Sequence, residues 1–147
     1  MNEDSIRERV AQWLDEVIEG MPFVAEYERD PDSDPTQFPA ASMTDNGHGD
    51  PDDGDGGITH YDMDVDVEIF VKGSEGRSVS TELNNYHASL VKAVMRPGEP
   101  PIGGLAEEIH EGALRRFTAM LAAEPRRGFR QKFTIRFPTK RGDPAQQ

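Results

Sequence analysis

Apolar residues recur near the N-terminus on a helical period: Ile6, Val10, Trp13, Leu14, Val17 and Ile18. That stripe predicts an amphipathic helix. Ser5 and Glu8 match a capping box ahead of it, and Gly20 with Pro22 marks its end. Trp13 sits mid-stripe and is expected to anchor the core. Residues 23–29 alternate, with Phe23, Ala25 and Tyr27 on one face of a short predicted strand. The turn-rich segment Asp30–Pro35 links it to a second strand over Phe38–Met43. Pro39 confines that strand to an edge or makes this point its start.

The clearest strand follows. Tyr61, Met63, Val65, Val67, Ile69 and Val71 point one way, while Asp62, Asp64, Asp66, Glu68, Phe70 and Lys72 point the other. Strict alternation of this kind marks a half-buried strand. Residues 72–77 turn the chain. Ser78 or Ser80 is the expected cap of a second helix reaching about Met95, with Leu83, Tyr86 or His87, Leu90, Val91 and Val94 as its stripe. Pro97, Pro100 and Pro101 end it. The last strand alternates Phe129, Gln131, Phe133, Ile135 and Phe137 against Arg130, Lys132, Thr134 and Arg136. Residues 105–122 are ambiguous: Leu105, Ile109, Ala113, Phe117 and Leu121 fall at i+4 steps and, by periodicity alone, favour a helix. Residues 44–57 hold five Asp and five Gly and no large apolar side chain. They read as a long mobile loop or a disordered insertion.

A chain of 147 residues with 35% hydrophobic composition fits one domain with one modest core. The net charge of −12 is unevenly spread. Residues 28–68 carry thirteen acids and one base, whereas residues 109–147 carry nine bases and three acids. An overall field of this sign does not grip nucleic acid, but the basic end can meet an acidic partner or the acidic middle of its own fold. Cysteine is absent, which removes disulfides, thiolate catalysis and Cys-ligated zinc, and suits a reducing cytoplasm. No apolar run reaches transmembrane length, and the N-terminus lacks a secretory signal, so a non-secreted protein with no membrane partner is expected.

Candidate chemistry changes this picture little. Asp50, Asp52, Asp53 and Asp55 are hard oxygen donors, but neither register of an EF-hand fits: Gly falls at position five, and position twelve is Tyr61 or Asp64. The stripe Asp62, Asp64, Asp66 and Glu68 has side chains about 6.6–6.8 Å apart along one strand, too far for a two-metal site without converging partners. Two structural readings of the stripe stay open. It faces solvent or a water-filled channel, or it pairs across strands with Arg130, Lys132 and Arg136. His48, His60, His87 and His110 show no ligand spacing and read as polar surface or loop residues. Arg141-Gly142-Asp143 is an RGD tripeptide, read here as ordinary surface sequence. No catalytic residue, metal ligand or cofactor site is assigned.

The C-terminal run Gly128–Pro144, GFRQKFTIRFPTKRGDP, resembles the final strand and exit of tail terminator proteins of long-tailed bacteriophages. The element order is similar too: an N-terminal helix, a Phe38-Pro39 strand start, a long strand ending in VEIFVKG, a helix and a terminal hairpin. The resemblance implies a small α/β domain of the α+β type, mainly an antiparallel sheet flanked by two helices in the order α-β-β-β-α-β-β. It implies a strand at 109–121, joined to the last strand through Ala123–Gly128. It also implies a structural, non-enzymatic role. Such proteins form a ring, usually a hexamer, that caps the tail tube, ends its polymerisation and joins it to the head connector or stopper. The expected partners are therefore other copies of the chain, the tail tube protein, the connector or stopper, and viral DNA in passage. The expected location is the tail–neck junction of the virion, reached from the host cytoplasm during assembly. Asp62, Asp64, Asp66 and Glu68 are candidates for the channel lining. Arg126, Arg127, Arg130, Lys132, Arg136, Lys140 and Arg141 are candidates for the subunit interface. Another neck or tail completion protein, or an acidic protein-binding module, is the alternative.

Overall fold

Strand parity builds the molecule. The computed structural model describes residues 4–147. The long strand β4 (Ile58–Phe70) buries Met63, Val65, Val67 and Ile69 completely on one face. Its neighbour β6 (Glu124–Lys140) buries Phe129, Phe133, Ile135 and Phe137 on the same face. Two helices, α1 (Ile6–Glu19) and α2 (Arg77–Met95), cover that face with Ile6, Val10, Leu14, Ile18, Leu83, Leu90 and Val94. Fully burying one such aliphatic side chain contributes about 1.5–3 kcal/mol. The opposite sheet face carries no helix.

The sheet order is β1-β2-β4-β6-β5, with β1 at Glu26–Arg29, β2 at Ala40–His48 and β5 at Glu108–Leu121. β1 pairs parallel to β2, and every other pairing is antiparallel. A two-residue strand, β3 (Asp52–Asp53), joins the flank of β4 beyond the end of β2. The chain is thus a single α+β unit of the expected order α-β-β-β-α-β-β, with β3 and a short 3-10 turn (Pro101–Gly104) added. Among the described residues no helix is long and apolar enough to cross a membrane.

Several details differ from the sequence expectations. Ser5 accepts from the Glu8 amide as expected, but Arg29 and Gln12 bond the Glu8 carboxylate. Trp13 is only half-buried and lies at the core's rim beneath Arg96, 5.0 Å from its ring centre. The first strand starts at Glu26 rather than residue 23. α2 begins at Arg77 behind Gly76 (φ 102°), so Ser78 and Ser80 lie inside the helix.

Half of the segment 44–57 is built into the sheet. β2 runs on through Thr44–His48, and β3 supplies two further rungs on β4. Between Asp45 and His48 the register slips, the irregularity that a bulge produces. Asp45 is held on α1 by two hydrogen bonds from Arg7, at 2.7 and 2.6 Å.

β5 also has a single physical cause for its misleading sequence. A register shift between Glu111 and Leu114 switches the strand's faces. Ile109 therefore points to the helices, while Phe117 and Leu121 point away. This destroys the period of two and leaves an accidental i+4 spacing. The bulge packs tightly at Gly112: an added Cβ there would stand 3.1 Å from the Lys132 carbonyl, so the neighbouring strand would have to give by a few tenths of an ångström. Gln131, 0% exposed, donates to the Gly112 carbonyl (2.9 Å) and the Lys132 carbonyl (2.8 Å). Its Oε1 must then accept, so His87 on α2 donates to it through Nε2 at 2.7 Å. His87 is thus a partner of the bulge rather than a plain surface residue. The hairpin turn is Ala122-Ala123, both at positive φ (53° and 66°). Gly128, expected in the turn, lies inside β6, where a Cβ would meet the Ile69 carbonyl at 2.7 Å.

Candidate functional site

The open sheet face is built by the residues that alternate away from the core. β4 places Asp62, Asp64, Asp66 and Glu68 there. β6 places Arg136, Thr134, Lys132 and Arg130 directly opposite them, in that order. Arg136 lies 2.9 Å from Asp62 and 2.8 Å from Asp52. Thr134 donates its hydroxyl to Asp64 at 2.9 Å, and Arg130 reaches Glu68 at 3.1 Å. Asn46 bonds Asp66 at 2.7 Å, leaving the other Asp66 oxygen buried without a partner. The two carboxylate neighbours of Arg136 raise its pKa through hydrogen bonds, Asp52 first and then Asp62. The acidic stripe is therefore cross-paired with the basic strand at Asp62 and Glu68, hydrogen-bonded to it at Asp64, and not joined to it at Asp66.

The same geometry decides what is left of the basic set. Arg126 bonds the Lys72 carbonyl and Glu124 and lies over Phe38, while Arg127 reaches Thr118. Arg141 sits 3.6 Å from Asp53 and donates to the Gly54 carbonyl at 2.7 Å. Lys132 and Lys140 are exposed and have no side-chain partner among the described residues. Three bases of the basic end, Arg130, Arg136 and Arg141, thus pair with Glu68, Asp52, Asp62 and Asp53 of the acidic middle within one subunit. Of the loop acids, Asp52 and Asp53 are engaged this way. No group of three His, Asp or Glu side chains converges on a cation position among the described residues.

Two features of the sheet were not foreseen. One is the exposure of β5, a strand expected over 109–121. It is the sheet's terminal strand, 14 residues long, and most of its side chains are exposed. Leu114 is 42% and Met120 64% exposed, both on the helix side of the sheet but beyond the helices' cover. The other is a cleft of about 440 Å³ at the β1 end, walled by the 30–35 segment. Sequence alone carried one usable signal for the Gln131 network, a polar residue in an otherwise apolar inward row. It carried none for the cleft, which requires a turn segment to be brought over the sheet.

In comparisons with known proteins, the chain matches no family model and no curated protein.

Proposed function

We propose that the chain is a structural protein that assembles into a closed ring, in the manner of the phage tail terminators it resembles. The observation that carries this reading is β5: a 14-residue edge strand with exposed Leu114 and Met120. A long unpaired edge with apolar side chains is a template for pairing unless an assembly covers it. The sheet's other edge, β1, has four residues and a different composition. Two unlike edges are what a head-to-tail ring needs, because each interface joins different surfaces.

In this reading the ring, most simply a hexamer, caps the tail tube, stops its growth and offers a surface to the head connector or stopper. It does so at the tail–neck junction, after assembly in the host cytoplasm. The role is non-enzymatic and needs no cofactor. Viral DNA passes without being held. If Asp62, Asp64, Asp66 and Glu68 face that passage, their pairing with Arg130 and Arg136 presents DNA with a surface of alternating sign, so repulsion is weaker than for a bare acidic stripe. Lys132 and Lys140 are the basic residues with most freedom to meet a neighbouring subunit.

The test is growth of tail tubes from purified tube protein, followed by electron microscopy with and without this chain. Capped tubes of arrested length support the reading. Unchanged growth, with no density at tube ends, contradicts it.

A further inference from the structure

At one end of the open face the sheet changes character. Phe70, Phe117, Ala119 and Leu121 lie half-buried where the neighbouring rows are charged. Phe70 and Phe117 meet edge to face, 5.4 Å apart. These side chains floor the cleft of about 440 Å³, a volume within the roughly 300–1,000 Å³ range of ligand sites.

The wall is the 30–35 segment, and it is tied in place rather than collapsed onto the floor. The Asp30 amide donates to the Met43 carbonyl at 2.8 Å. Asp34 accepts from the Ala122 amide at 2.7 Å, across to the β5–β6 turn. Glu26 accepts from the Thr36 amide and hydroxyl at 3.2 and 3.1 Å. The cleft is thus preformed, which lowers the ordering cost of binding.

Its charge is one-signed. Five carboxylates and no Lys or Arg line it; the nearest cation, Arg130, stands at its edge, over the Phe117 ring at 5.3 Å and paired with Glu68. Glu26, Asp34 and Glu68 are engaged within the subunit, as described above. Glu28 and Asp32 are exposed and have no side-chain partner among the described residues. An apolar floor with free carboxylates at the mouth selects a ligand with an apolar part beside a cation.

We propose that this cleft docks a short extended segment of a partner protein carrying arginine or lysine next to a large apolar residue. The apolar side chain would sit over Ala119 and Leu121, beside the Phe117 ring that Arg130 covers, and the cation would reach Glu28 and Asp32. The cleft opens on the face of the sheet but takes part of its lining from β1 and β5, the strands of the ring contact proposed above, so it is tested in the L114K/M120K variant, in which that contact is blocked and the two readings fail separately.

The experiment is a titration of the isotope-labelled chain with capped hexapeptides, followed by amide chemical shifts and calorimetry. The probes are alternating Leu-Arg, Leu-Glu and Ser-Arg sequences, with arginine amide as a small-cation control. Leu-Arg is expected to give saturable shifts in the Phe117–Leu121 amides, while Leu-Glu gives none and Ser-Arg binds more weakly. E28Q with D32N should weaken Leu-Arg binding about tenfold, as two partly screened ion pairs are lost. A119W, which fills the cleft, should abolish it; if that variant fails to fold, the surface pair E28Q/D32N carries the test alone. Equal binding of Leu-Glu, no saturable shift, or insensitivity to E28Q/D32N overturns the proposal. Binding of arginine amide as tight as the peptide overturns the peptide assignment. Concentration-dependent shifts in the same amides of L114K/M120K without peptide, its edge contact being blocked, would assign the cleft to a second copy of the chain instead and overturn the proposal.

Discussion

Ala122 and Ala123 hold a two-residue hairpin turn with positive φ at both positions. Such turns favour Asn and Gly, because an L-residue with a Cβ costs roughly 1–2 kcal/mol in the left-handed region. Ala123→Gly is therefore expected to stabilise the chain by about 1 kcal/mol. Thermal unfolding checks this, with a rise of about 3 °C. A second residue-scale expectation concerns acid. Glu8 is held below the ordinary carboxylate range, chiefly by its hydrogen bond from Arg29. Burial pushes Asp45 up, but hydrogen bonds from Arg7 and the Gly47 amide together with the Arg7 charge outweigh it and leave it low. In the unfolded chain both carboxylates bind protons at higher pH than in the folded one. The stability they contribute is present above their unfolded pKa values, about 4, and is lost as pH falls through the lower folded values. Urea unfolding at about pH 3 and about pH 7 should show this loss, and it should be smaller in R7Q/R29Q. The cross-strand salt pairs were legible at this scale only as one of two open readings, since the alternation of β4 and β6 set an acidic row and a basic row on outward faces without saying that the strands are neighbours. Asp45–Arg7 was not, because Asp45 stood in a stretch whose Asp and Gly content masked a strand.

At the scale of elements, legibility followed parity. α1, β4 and β6 each keep one period from end to end, and each was foreseen. β5 does not, because the bulge at 111–114 moves its outward face from even to odd residues. The family resemblance, rather than the periodicity, pointed to a strand there. The segment 44–57 was misread for a related reason: its register slips between Asp45 and His48, and β3 is only two residues long. Deleting 44–57 is now expected to be costly, because it removes rungs on β4 together with the Asp45–Arg7 and Asp52–Arg136 pairs. A loss of more than about 1 kcal/mol in chemical unfolding is predicted, beyond the scale of ordinary surface changes. The paired stripe makes a second prediction. A double-mutant cycle of D62N with R136Q should show a coupling of about 0.2–1 kcal/mol, and D66N with R136Q, which are not directly opposed, should show less. A cycle with no coupling would mean that the pairing adds geometry without stability.

For the whole molecule, one helix-covered face and one open face leave the sheet with two unequal edges. The charge segregation seen along the sequence is paired inside the subunit only through Arg130, Arg136 and Arg141, so it is one source of subunit contacts. The apolar edge of β5 is the better one. The most direct test is native mass spectrometry of the purified chain and of L114K/M120K. Both substituted side chains are exposed, so folding should change by less than about 0.5 kcal/mol. The wild-type chain, alone or with tail tubes, is predicted to give a closed oligomer of one stoichiometry, and the variant a folded monomer. A wild-type chain that stays monomeric even with tubes present, or a variant that assembles as well as the wild type, would contradict the account.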